Sequence, residues 1–277
     1  MNINYRWYLS WRKYWKVFSL GWQEQMTYRA NSIFESGVGL LSFVVIIFLW
    51  NAVYLSNHYQ PIAGMTFQQM LTYIILVKFW SWIIDPNWEI DFMLPEDIRN
   101  GGLNRYLIRP VSDRLYRWNY FLGRKILYGI IRLTPALLVI ILLPQFFTLK
   151  WHDGLWYLPL ISFLALTLQF MLSYTIATFA FWMYEIWGIL FLKRLVFSFL
   201  SGAWIPLTLF PSRVASVLLA LPFQYTTFFP IQVVLGKMNI QQIQYGIGVQ
   251  LIWIGIFTIA SLWLWRAGMK QYCGAGG

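Results

Sequence analysis

The sequence predicts an all-α membrane protein: six transmembrane helices, an N-terminal interfacial amphipathic helix, a cytoplasmic helical elbow and a short outer re-entrant helical segment. Three observations lead there. Six apolar stretches, near 34–55, 66–84, 126–147, 156–182, 187–208 and 244–265, each reach the roughly 20 residues that a helix needs to cross a hydrocarbon core of about 30 Å. The composition is 59% hydrophobic and only 11% charged, with a mean hydropathy of +0.55, a surface that would not stay dissolved as a monomer. The cations are also lopsided. Of 21 Lys and Arg, five precede the first span, eight lie between spans two and three or on their flanks, and two follow each of the fourth and sixth spans. Cationic loops are held on the cytoplasmic side, so both termini are expected there, in a bacterial cytoplasmic (inner) membrane.

Residues 1–277 read as one transmembrane domain. In the first part, 1–32, Trp7, Trp11, Trp15, Phe18 and Trp22 form one stripe of a helix, with Arg12, Lys13, Lys16, Ser19 and Gln23 opposite. A basic helix with a Trp-rich face lies in the interface plane rather than across it. Its five cations interrupt any apolar core, so no cleavable signal peptide is expected. The six-span region covers 34–265 and a cytoplasmic tail covers 266–277. The net charge of +11 reads as this sidedness plus contact with anionic membrane lipids, not as nucleic-acid binding.

The loop 85–125 is the longest polar segment. Pro95, Glu96 and Asp97 suit a helix start, because proline fits the first turn and acids favour its positive end. Gly101 and Gly102 stop that helix. A second short helix, about 103–108, runs into Pro110, and Ser112 is placed to cap a longer one. Leu103, Tyr106 and Leu107 share a face rimmed by Arg99, Arg105 and Arg109. An exposed apolar knob with an arginine rim suits a groove on another protein; a loop that only meets lipid headgroups is the plainer alternative. The outer segment 209–242 is apolar but broken by Pro211, Pro222 and Pro230, and pieces that short are re-entrant or interfacial.

Several chemistries are missing. No Gly-rich phosphate loop with Gly-Lys-Ser/Thr occurs, so ATP and Mg are not expected on this chain. His58 and His152 stand alone, no metal set is spaced for ligation, and one cysteine, Cys273, excludes an internal disulfide. No carboxylate pair lies deep in a span, where ion-coupled carriers keep theirs. Four span cations need an explanation. Lys78 can pair with Asp85 two turns on, and Lys193 and Arg194 can snorkel. Arg132 is the least easily excused and is a candidate contact for an anionic substrate or a partner.

The ordered set Glu96, Gly102-Leu103, Leu107, Pro110-Val111-Ser112 and Leu122-Gly123-Arg124-Lys125 resembles the corresponding segment of ABC-2 type permeases, the membrane subunits of ABC exporters. Ser201-Gly202, Ile205-Pro206-Leu207, Phe210-Pro211, Leu221-Pro222-Phe223, Pro230 and Leu235-Gly236 resemble that family's later stretch, and Tyr28-Arg29-Ala30-Asn31 is similar to a subgroup of paired permeases. The doubled glycine at 101–102 departs from the family's usual single one.

The resemblance implies a non-enzymatic transport subunit. It makes the elbow a coupling helix, with Glu96, Arg99, Gly102, Leu103, Leu107, Arg109 and Pro110 as the contact with two separate ATPase subunits. It makes Pro206, Pro211, Pro222, Phe223 and Pro230 parts of an outer gate. It also implies a second permease, identical or homologous, while the apolar, aromatic interior suggests an amphipathic or lipid-like substrate such as a drug, natural product or lipid. A membrane scaffold or a lipid-modifying enzyme is the alternative from another class; the scattered His58, His152 and Asp153 offer an enzyme little.

Overall fold

Apolar runs free of proline and glycine clusters become long helices here. The computed structural model describes residues 3–62, 64–84, 89–108, 111–142, 149, 151–183 and 185–272; for 3–10, 40–43, 89, 133, 135–140 and 142 it describes the backbone alone. Eleven α-helices lie among the described residues: α1 Ile3–Thr27, α2 Arg29–Ser56, α3 Phe67–Ile84, α4 Leu94–Arg99, α5 Asn104–Leu107, α6 Asp113–Leu142, α7 Leu158–Ala177, α8 Trp187–Leu200, α9 Ser212–Ala220, α10 Phe228–Val234 and α11 Ile240–Gly268. A lone antiparallel bridge, Ile62 with Met65, closes the α2–α3 turn, and no strand is found among the described residues. Four segments are long and apolar enough to cross a membrane: Arg29–Ser56, Phe67–Ile84, Asp153–Phe181 and Ile240–Gly268. The last opens with a capping box, in which Asn239 and Gln242 each satisfy the other's backbone N–H.

The core forms around α7. Ala165, Phe170, Tyr174 and Ala177 are buried against Tyr73, Val77 and Trp80 of α3 and against Phe121 of α6. Trp118, Phe170, Tyr174 and Trp265 make a run of ring contacts, with centroids 4.9, 5.9 and 6.1 Å apart, so α6, α7 and α11 share one aromatic column. Rings at such distances add about 0.5–1.5 kcal/mol per pair beyond area burial.

The long helix expected after Ser112 is present, whereas one expected span differs in extent. That helix begins at Asp113, directly after Ser112, and carries Arg114, Arg117 and Arg124 into the third apolar stretch; its described part ends at Leu142, with 143–148 outside the described residues. The stretch 187–208 is helical only over Trp187–Leu200, a rise of about 21 Å. Gly202, at φ +79, then turns the chain. The turn is pinned by Tyr73, whose hydroxyl donates to the Gly202 carbonyl at 2.7 Å, and by Phe228, whose N–H reaches the Ser201 carbonyl at 3.1 Å. A left-handed glycine whose own carbonyl and that of Ser201 are already bonded ends the helix whatever the hydropathy of Ala203 to Leu207.

The outer segment holds α9, a 3-10 turn Pro222–Tyr225 and α10, none long enough to cross. It dips into the bundle. Trp80 Nε1 donates to the Thr226 carbonyl at 2.7 Å, and Gln250 Nε2 donates to the Tyr225 carbonyl at 2.8 Å. Those positions lie about 20 Å along α3 from Phe67 and about 15 Å along α11 from Ile240.

The N-terminal helix packs along α6. Its Trp11 and Trp15 are exposed, while Val17, Gly21 and Gln25 form a buried stripe. A Cβ on Gly21 would sit 2.3 Å from the Tyr120 carbonyl oxygen, and one on Gly123 would sit 2.1 Å from the Phe18 carbonyl oxygen. Two glycines thus let α1 and α6 touch backbone to backbone, the small-residue packing favoured where apolar association is weak. Glu24 clamps the crossing, accepting from Tyr120 and from Arg124 at 3.0 Å. Gly123→Val is expected to part the helices while the rest of the bundle folds. Limited trypsin digestion checks this: Lys13 and Lys16 should be cut faster than in the parent, and unchanged rates would count against the contact.

Candidate functional site

A cluster of charged and polar residues lies at the elbow between α3 and α6. A π-helical turn, Glu89–Met93, leads into α4, which starts with Pro95 near its first position. Gly101, at φ +72, reverses the chain into α5. Gly102 is required for a different reason: a Cβ there would lie 2.5 Å from Asp97 Oδ1. The doubled glycine is therefore two separate demands, one on backbone conformation and one on space.

Asp97 is the centre of the elbow. Its carboxylate accepts from Arg105 at 2.6 Å and from Arg117 at 2.7 Å, and its carbonyl accepts the Leu103 N–H at 2.9 Å. Arg117 also donates to both oxygens of Asp113, at 2.9 and 3.0 Å, and Tyr174 donates to Asp113 at 3.0 Å. The guanidinium groups of Arg105 and Arg117 lie 4.9 and 4.8 Å from the centre of the Tyr106 ring. Burial opposes the Arg117 charge, but the carboxylates of Asp113 and Asp97 more than offset it and hold the guanidinium protonated. Arg114 reaches Thr258 and Ser261 of α11, and Tyr272 donates to Asn104 at 3.1 Å. The elbow is thus latched to α6 and α7 by a buried ionic cluster, an arrangement costly to open because one lost partner leaves a charge in low dielectric, while Arg114 ties α6 to α11.

The sequence-predicted contact residues separate into groups. Glu96 and Arg99 are exposed on α4, with Arg99 3.7 Å from Glu185. Leu103 is not part of an exposed knob: it is fully buried in the core, as Tyr106 nearly is. On a helix of four residues the reversal at Gly101 turns Leu103 inward under Asp97, and a sequence-only face assignment could not see that turn. The apolar tip is instead Leu107, 46% exposed, with Ile108, 84% exposed. Ile108 was missed; its only signal was adjacency to Leu107. Arg109 and Pro110 lie outside the described residues. Among the five outer residues, Pro206, Pro222 and Pro230 are buried, Pro211 caps α9 from an exposed position, and Phe223 meets the Phe197 ring at 5.7 Å.

The span cations are partnered more often than sequence reasoning allowed. Arg132 pairs with Glu35 of α2 and lies over the rings of Trp82 and Tyr128, at 4.9 and 4.6 Å. Lys193 does not snorkel: its buried ammonium pairs with Asp91 and donates to Ser173 at 3.0 Å. The Phe92 and Trp187 rings, 4.5 Å apart, join the same two elements, so α8 is tied to the turn that feeds the elbow. Asp85, the expected partner of Lys78, lies outside the described residues. Among the described residues no group of three His, Cys, Asp or Glu side chains is placed to hold a metal ion.

A helical bundle with several helices long and apolar enough to cross a membrane, and with a buried ionic cluster latching one elbow, defines a multi-pass membrane protein. The description "ABC-2 family transporter protein" matches residues 40–276, and the chain belongs to that family, as an ABC-2 type transporter permease. The match leaves α1 outside it. No match was found among curated proteins or among solved structures.

Proposed function

We propose that this chain is the permease subunit of an ATP-driven ABC exporter, with six spans and both termini in the cytoplasm of a bacterial inner membrane. The observation that carries the reading is the elbow: within a family of ABC transporter proteins, its buried latch holds an apolar tip rigidly outside the bundle. Leu107 and Ile108 dock into a cleft of a separate ATPase subunit, one under each of two permeases, and Glu96 and Arg99 form the rim. ATP and Mg reside on those partners. Closure of the ATPases pushes the elbow; through Asp91–Lys193 the push reaches α8, and through Arg114 it reaches α11. Residues 206–230 act as the outer gate.

The second permease, identical or homologous, packs on α2 and α8. Only 7% of the most apolar window of α2 is buried within the chain, and Phe191, Leu192 and Val196 of α8 are exposed. The substrate is amphipathic or lipid-like.

The test is co-purification with an ATPase encoded beside this chain. Permease-dependent stimulation of ATP hydrolysis in vesicles is expected, together with external labelling of a cysteine at Gln60 and silence of one at Asn104 in intact cells. A chain that neither binds nor stimulates such an ATPase, or that labels externally at Asn104, overturns the reading.

A further inference from the structure

A cavity of about 660 Å³ opens between α2, α3, α6, α7 and α8. That is within the range of small-molecule sites, about 300–1,000 Å³. Four cations line it: Lys78, Arg132, Lys193 and Arg194. Arg132 and Lys193 are committed to Glu35 and Asp91. For Lys78 and Arg194 no ion pair is found among the described residues. Cations within apolar spans are rare and mark ligand paths or partners; Lys78, half-buried, and Arg194, exposed, both line this one cavity.

Two further atoms point the same way. Arg132 Nε is buried and lacks an acceptor; Gln169, 2% exposed, presents an Oε1 without a donor. Buried polar atoms are normally paired. An occupant with acceptor oxygens and a hydroxyl would satisfy both. The other walls are apolar, including Leu49, Trp50, Ile74, Val77 and Trp204, and these suit a hydrocarbon chain rather than a hydrated ion.

From this we infer that the cavity binds an anionic amphiphile, its phosphate or carboxylate head held by Lys78 and Arg194 and its chain lying on the apolar walls. The inference deepens the export reading and rests on it, since it names the charge class of the transported molecule. A free phosphate shares the head chemistry; the apolar walls favour the amphiphile.

The full-length chain, purified in detergent and freed of surrounding lipid, is offered equimolar short-chain phosphatidylglycerol and phosphatidylcholine, and retained lipid is weighed by native mass spectrometry. Phosphatidylglycerol should be retained at least about tenfold over phosphatidylcholine, the equivalent of one charge-assisted hydrogen bond. The double variant Lys78→Gln with Arg194→Gln should lose the preference while eluting and melting as the parent does. Lys78→Arg with Arg194→Lys, and the exposed control Lys16→Gln, should keep it. Equal retention of the two lipids, or an undiminished preference in the double glutamine variant, overturns the proposal. So does displacement of phosphatidylglycerol by the same concentration of inorganic phosphate, which would make the occupant a free anion. The assay contains no ATPase. A failure here beside intact ATPase stimulation removes the ligand class alone, and the opposite pattern removes the permease reading alone.

Discussion

Leu107→Ala with Ile108→Ala is expected to leave insertion and melting unchanged and to abolish ATPase stimulation. Both side chains point away from the bundle, at 46% and 84% exposure, so trimming them opens no cavity. Apolar anchors at the centre of an interface commonly cost about 2 kcal/mol or more each, and each 1.4 kcal/mol is about tenfold in affinity. Association with the ATPase should therefore weaken at least about a hundredfold in a pull-down titration. Arg99→Ala should do far less, because rim charges govern encounter rate and salt dependence more than holding. Full binding by the double variant would show that this tip is not the contact. Leu103→Ala is unsuitable for the same test, since the residue is fully buried and its loss would leave a cavity worth about 2–5 kcal/mol.

Arg117→Leu is expected to be the most damaging single change in the elbow. It removes the group that bridges Asp97 and Asp113 and leaves two buried carboxylates facing each other. Breaking a buried ionic cluster from one side costs about 3–5 kcal/mol. The loss should appear as faster tryptic cleavage at Arg105 and as a lower melting temperature. ATP hydrolysis should also uncouple, although Leu107 and Ile108 are still present. Arg117→Lys should rescue only in part, because a point charge cannot fork between two carboxylates. If Arg117→Leu melts with the parent and keeps its elbow protected, the latch does not hold the elbow.

Spans one, two, four and six were legible because each is a continuous apolar run with polar punctuation. The fifth was overextended, since hydropathy continues through Ala203 to Leu207 while the chain turns at Gly202 on bonds from Tyr73 and Phe228. In the elbow, Pro95, the glycine pair and the break before Asp113 were all readable as local chemistry. The spacing of Asp113 and Arg117 also suggests a helical pair. What could not be read was that Asp97 joins them from twenty residues away, because long-range ionic contacts leave no periodicity. The same holds for Lys193 with Asp91, 102 positions apart, and for the glycines at 21 and 123, whose purpose is visible only once two backbones meet.

That meeting of glycines has a mechanical consequence. The helix that supports the elbow is the same helix to which the N-terminal segment is fastened, and the fastening is backbone against backbone with no compliant side chain between. Trp11 and Trp15, facing outward, lie where an amphipathic helix would rest in the headgroup layer. Under the proposed coupling, a thrust on the elbow that tips its supporting helix therefore carries this tryptophan-edged segment with it.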